Sequence, residues 1–362
     1  MNKNVVNLLT DRHRQVIHAV VEEITTPLID ESSLIRQLMP ITNVPAAVLE
    51  HEIISGSGGL TQERVLDEEG KAIAGHSSTS KLYEPGSYQE FITFTEKDLL
   101  KLRKHGTVGD RGATGLTGGE LDFIRRAAIK LEMRLNNRTA QLGWDALFLD
   151  RYVYQGVTKI FGRPAGNVIA AATDWSATGV GTPFEDLVAI IGQNPVVRKY
   201  TAFIDSFIIN PKTSSDIVLR ALEASVITNA NIHNADINEV RKFMAPGLAN
   251  FEVVHDAIQT ETVNPDGSIT LSDAIYLVPD DRVLIKLDFN KTGKLFPKYG
   301  EIQITENMND PAATPESPAQ GMYTFIDEEG MIRRKNPHLD VVGGFNGGSN
   351  LMRPDDVLII TV

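Results

Sequence analysis

Leu121, Ile124, Ala128, Leu131, Leu135 and Leu142 recur at spacings of three, four and seven, so one apolar stripe runs from residue 120 to about 149. At 1.5 Å per residue such a helix reaches roughly 45 Å, well beyond the three or four turns usual in a globular domain. A rod of that length stays straight when a sheet or neighbouring chains line it, and we read it as a spine. The same periodicity also fits a long core helix in a large enzyme.

The approach to the rod is equally patterned. Residues 91–95, Phe-Ile-Thr-Phe-Thr, alternate aromatic and β-branched side chains as a half-buried strand does. Residues 96–105 change period, with Leu99, Leu100 and Leu102 among Lys97, Lys101, Arg103 and Lys104. That reads as a short helix stopped by Gly106. Gly109, Gly112, Gly115 and Gly118 follow at a period of three, too short and too poor in proline for a collagen run, and with Gly106 they form a hinge.

Before this region, residues 12–24 and 28–40 read as two short amphipathic helices, an arm with apolar edges and little mass. Residues 48–94 read as a long two-stranded excursion whose tip, near 66–76, turns at Asp67-Glu68-Glu69-Gly70-Lys71. An isolated two-stranded ribbon is marginal in water, so a partner surface is expected for it.

After the rod, 151–161 is strand-like and 166–172 continues it as a hairpin. Helix 184–192 directs Leu187, Val188, Ile190 and Ile191 inward. A strand at 202–210 leads into a helix at 214–227 with a Ser/Thr cap. Another helix passes through Ile237, Val240 and Met244 to a strand at 251–254. Asn264-Pro265-Asp266-Gly267 separates 260–263 from 269–271 as a hairpin turn. Strands are expected at 283–287, 301–305 and 357–362, with an exposed Pro/Ala-rich loop at 310–320. The order of elements indicates a mixed α+β subunit with more than one sheet.

Chemistry is hard to find. The 362 residues contain no cysteine, which removes disulfides, thiolate metal sites and cysteine nucleophiles together. The net charge of -12 opposes polyanions overall, so a nucleic-acid contact would need a local basic patch. The opening residues lack a secretion signal's apolar core, and no apolar run has membrane-spanning length. P-loop, HExxH, GxSxG and GxGxxG patterns are absent in suitable context. His51, His233 and His255 are scattered, and Asp280-Asp281 beside Pro279 reads as a solvated turn more readily than an ion site. No catalytic, cofactor or metal residue is assigned. One local patch does stand out: Arg125, Arg126, Lys130, Arg134 and Arg138 make the rod basic within an acidic chain.

The order of parts resembles the lambda major capsid protein family of tailed phages. The resemblance rests on the slender arm, the excursion, the entry Tyr83-Glu84-Pro85-Gly86-Ser87-Tyr88, the helix Asp98-Leu99-Leu100-Lys101-Leu102-Arg103 and the rod. Arg134 followed by Gln141-Leu142-Gly143 and Gly156-Val157 adds to it. So does the ending, with Asn336-Pro337-His338, Gly-rich residues, and Arg353-Pro354-Asp355-Asp356-Val357 running into a terminal strand.

The resemblance implies the Hong Kong ninety-seven phage shell fold. On that template 1–47 is the N-terminal arm, 48–95 an extended β-hairpin loop, 96–183 a peripheral domain with hinge and spine helix, and 184–282 an axial domain. Residues 283–334 return to the peripheral domain and 335–362 close the chain. It implies a structural protein, not an enzyme, that self-assembles as hexamers and pentamers into an icosahedral shell around double-stranded DNA. The shell would form in the host cytoplasm, mature from a procapsid and become the virion capsid, with a separate scaffolding protein and a portal as partners.

In such shells the spine faces inward. Its basic residues would then meet packaged DNA or scaffold, or, the reading we favour, pair with acidic loops of the adjacent subunit. Leu66, Glu68, Lys71, Tyr83 and Tyr88 are the other expected inter-subunit residues. An encapsulin-type compartment and a large α/β enzyme with an unrecognised site are the alternatives.

Overall fold

In the computed structural model the described residues are 33–45, 48–55, 77–95, 118–223, 236–259, 261–263, 269–292, 298–310, 313–314, 316–327 and 338–362. Most of the arm, the excursion's tip with Leu66, Glu68 and Lys71, and the expected helix at 96–105 lie outside them. So do Gly106, Gly109, Gly112 and Gly115; Gly118 is the first residue of the long helix Gly118–Leu149. The fold is mixed α+β, and the chain forms two compact units. One falls within Met1–Glu50, Leu82–Ala140 and Ile302–Gly348, the other within His51–Lys81, Gln141–Glu301 and Ser349–Val362.

The first unit is a sheet with a helix on it. The strand His338–Asn350 runs antiparallel to Tyr323–Asp327 and also to Gly86–Thr95, while Ile41–Asn43 lies parallel to Glu301–Ile304. Helical spacing puts Ala128, Leu131 and Leu135 on one face, and all three are buried, as are Val341, Val342 and Phe345 of the long strand. Contact is close: a Cβ on Gly343 would stand 3.4 Å from Leu131 Cβ. A Cβ on Gly344 would come within 2.6 Å of the Tyr88 carbonyl oxygen, so the backbone there has room only for hydrogen. Of the expected arm helices, Leu34–Leu38 is described, and it buries Ile35 and Leu38.

The second unit holds a five-stranded sheet in the order Val168–Ala170, Leu358–Thr361, Arg282–Leu287, Ile204–Ile209, Asn250–Val253. Its two outer pairings are parallel and its inner ones antiparallel. Val283, Leu284, Ile285, Phe207, Ile208, Ile209, Leu358, Ile359 and Ile360 are each 0% exposed. Such continuous apolar runs belong to strands covered on both faces.

Several expectations change here. The division at 282/283 falls at the first pair of residues of a central strand, because the run Val283-Leu284-Ile285 needs burial on both sides; the change of unit comes at 301/302. Residues 86–95 belong to the first sheet and not to the excursion, since the whole strand pairs with 338–347. Val168–Ala170 does not extend the hairpin after the helix but joins the large sheet beside Leu358–Thr361. Val188 is 53% exposed while Leu187 and Ile190 are buried, because a helix of period 3.6 turns Val188 away.

The helix expected from 214 begins at Pro211. Asn210 Oδ1 accepts from the Lys212 amide at 2.6 Å and so caps it, while the Thr213 hydroxyl donates instead to the Asp280 carbonyl.

Candidate assembly surface

Within the first unit, the basic row of the long helix meets its acid inside its own chain. Arg134 Nη2 donates to Glu90 Oε1 at 2.9 Å and Nε donates to Oε2, a two-pronged pairing onto the strand Gly86–Thr95. Hydrogen bonding by Arg134, aided by the charges of Arg134, Arg138 and Lys130 and opposed by burial, holds the Glu90 carboxyl below the usual carboxylate range. The Arg138 guanidinium lies 5.3 Å from the Tyr88 ring centroid, and that ring packs 5.0 Å from Phe345.

Strand alternation explains the arrangement: Tyr88 and Glu90 point toward the helix, and Ser87, Gln89, Phe91 and Thr93 point out, with Phe91 64% exposed. Within one chain, then, Arg134 already has a carboxylate in Glu90. Arg125, Arg126, Lys130 and Arg138 are exposed at the surface.

The opposite side of this helix carries an unusual group. Glu132 is 5% exposed, its Oε2 has no hydrogen-bond partner, and burial raises its carboxyl to about 7. The excursion's base is the pair Leu49–Ser55 and Ser77–Tyr83; at the end of its second strand Leu82 is 70% exposed and Tyr83 is half-buried.

In the second unit the helix ends in a polar collar. Asp150 takes the left-handed conformation, φ 54°, and its Oδ2 accepts from the Arg163 amide at 2.9 Å and the Gly162 amide at 3.2 Å. Arg163 donates to the carbonyls of Ala146, Leu147 and Phe148, and Arg282 donates to Phe148 at 2.8 Å. Two guanidiniums thus satisfy carbonyls left open at a helix C-terminus, where the dipole favours cations.

From the collar springs the hairpin Arg151–Tyr154 and Val157–Ile160. It turns through Gln155 and Gly156, both at positive φ, as a two-residue hairpin loop requires. It displays Val153, Val157 and Ile160 at 40%, 72% and 67% exposure.

Two further short strand pairs lie between 257 and 276. Ala257–Ile258 pairs with Ile275–Tyr276, and Glu261–Val263 with Ile269–Leu271. Leu271, Ile275 and Tyr276 are exposed on them.

The histidine and the paired aspartates of the sequence serve the fold where they are described. His51 is fully buried, with Nε2 3.1 Å from the Leu351 carbonyl and its ring edge-on to Phe161. Asp280 pairs with Lys212 at the mouth of a turn. Among the described residues no group of three or more His, Cys, Asp or Glu side chains is placed to hold a metal, and no helix is long and apolar enough to cross a membrane.

No family model and no curated protein matches the sequence. Solved structures do. The capsid protein of a prophage from Escherichia coli CFT073 superposes over 96% of this chain and 98% of its own, with a TM-score of 0.51 at 10% identity. The chain has the phage capsid fold. Also similar are a phage-related protein from Bordetella bronchiseptica RB50 (TM-score 0.48, 8% identity, 95% of this chain and 96% of that one) and the satellite phage P4 procapsid (TM-score 0.48, 12% identity, 96% and 90%).

Within this capsid fold, sequence reasoning found the long helix and its basic row. It missed the collar, the pairing of 151–154 with 157–160, and which apolar side chains of the second unit's ribbons stay exposed. The alternation at 151–160 was visible, but which of its residues stay uncovered depends on what lies across from them in space.

Proposed function

We propose that this chain is the major capsid protein of a tailed phage, a structural subunit whose copies assemble into a closed icosahedral shell around double-stranded DNA. The supporting observation is the fold correspondence that extends over 96% of this chain and 98% of a prophage capsid protein. In this reading the helix-and-sheet unit serves as the peripheral domain and the five-stranded unit as the axial domain. The arm and the excursion lie over neighbouring copies, and the glycine segment before the helix supplies the flexing that lets repeated heterologous contacts close. DNA meets the inner face without sequence preference, a scaffolding protein and a portal take part in assembly, and the mature particle is the virion capsid.

Negative-stain microscopy and sedimentation of the purified protein test this. Closed particles of megadalton mass are expected; a discrete small oligomer would refute it. Particles from native cells that carry protein cargo and no DNA would instead assign an encapsulin-type compartment. Joining Ser55 to Ser77 by deleting 56–76 is expected to leave a folded subunit that forms no normal shells.

A further inference from the structure

Two ribbons of the second unit expose what the other lacks. In sequence the hairpin 151–160 carries bases and no acid and 257–276 acids and no base, and Arg151 on the first and Asp273 on the second are exposed. Each also shows apolar side chains to water: Val157 and Ile160 at 72% and 67% exposure on the first, Leu271 and Ile275 at 54% and 58% on the second. Among the described residues neither ribbon pairs with a third strand. A two-stranded ribbon is marginal by itself.

Because both apolar sets are exposed in the single chain, the two ribbons do not cover each other within one copy. We infer that the hairpin 151–160 of one copy docks on the ribbon 257–276 of the next, with Val157 and Ile160 against Leu271 and Ile275 and with Arg151 facing Asp273. The contact is heterologous: each copy offers a hairpin and receives another on a different surface, and repetition closes a ring where the rotation per copy divides a full turn. An acidic receiving surface also repels nucleic acid, which favours a second copy as its occupant. This inference rests on the shell reading and names one of its contacts.

Charge reversal tests it. Arg151 and Asp273 are both exposed, so R151E and D273R should fold with unchanged near-ultraviolet circular dichroism. Each single variant should raise the protein concentration needed for half-maximal assembly roughly tenfold or more, since like charges then face each other. The double variant R151E/D273R should recover most of that loss, and I160D should lose assembly without rescue.

If the parent forms particles and both single variants assemble like it, or the double variant is no better than either single, the docking is wrong and the shell reading stands. If the parent forms only small oligomers, the shell reading falls, and the same rescue pattern, read by sedimentation of those oligomers, decides the contact. A strictly monomeric parent overturns both.

Discussion

Replacing Glu132 with Gln separates the cost of a buried charge from the packing around it. The side chain is 5% exposed beside Leu131 and Leu135, Oε2 finds no partner, and burial lifts the carboxyl from 4.5 to about 7. In the unfolded chain it titrates near its ordinary value. Below pH 4.5 it is neutral in both states and costs nothing. As pH rises toward 7 the unfolded chain releases its proton first, so stability falls across that interval and then levels off.

The gap corresponds to about 3 kcal/mol at its full extent, an order-of-magnitude figure. E132Q keeps the shape and removes the titration. Its melting temperature should match the parent near pH 4.5 and exceed it by a few degrees at pH 8, about what ~3 kcal/mol produces in a chain of this size. Scanning calorimetry of the unassembled subunit at a series of pH values gives the comparison, and the difference between the two proteins cancels every other titrating group. Parallel curves for parent and E132Q would refute the claim that this carboxyl is held neutral by burial.

Other expectations follow from the same contacts. R163A removes the collar on the helix C-terminus; the half-buried guanidinium, pulled down to about 10 mainly by burial and still charged at neutral pH, is lost and leaves open carbonyls. A loss of ~2–4 kcal/mol by denaturant unfolding is expected, and a loss below ~0.5 kcal/mol would show that water takes over the bonds. N210A deletes a buried side chain that caps Pro211–Glu223 and donates to the Val278 carbonyl at 2.8 Å, so ~1–3 kcal/mol should go. G344A forces a methyl to within 2.6 Å of the Tyr88 carbonyl oxygen and should cost ~1–3 kcal/mol, with greater amide exchange in Gly86–Thr95; an unchanged exchange pattern would contradict the close approach. R134A breaks a pairing that is more than a third exposed, so its effect should stay at or below ~1 kcal/mol and shrink in high salt.

What the sequence determined by itself is what depends on neighbours along the chain. The repeat of Leu121 to Leu142 placed the long helix, because helical spacing alone puts those residues on one face. The alternation at 91–95 and the apolar runs at 283–287 and 357–362 placed strands, and Asn264-Pro265-Asp266-Gly267 announced the ribbon around it. Only the tertiary structure decided which strands share a sheet. Val168–Ala170 lies beside Leu358–Thr361 across nearly two hundred residues, and Arg282–Leu287 sits between strands from both sides of the sequence. It also decided that Arg134 has its carboxylate at home in Glu90, that Glu132 is sealed from water, and that Arg163 closes a helix end. Periodicity reports which way a side chain points; whether water, a carboxylate or a carbonyl waits there is set by contacts between residues distant in sequence, which no local pattern encodes.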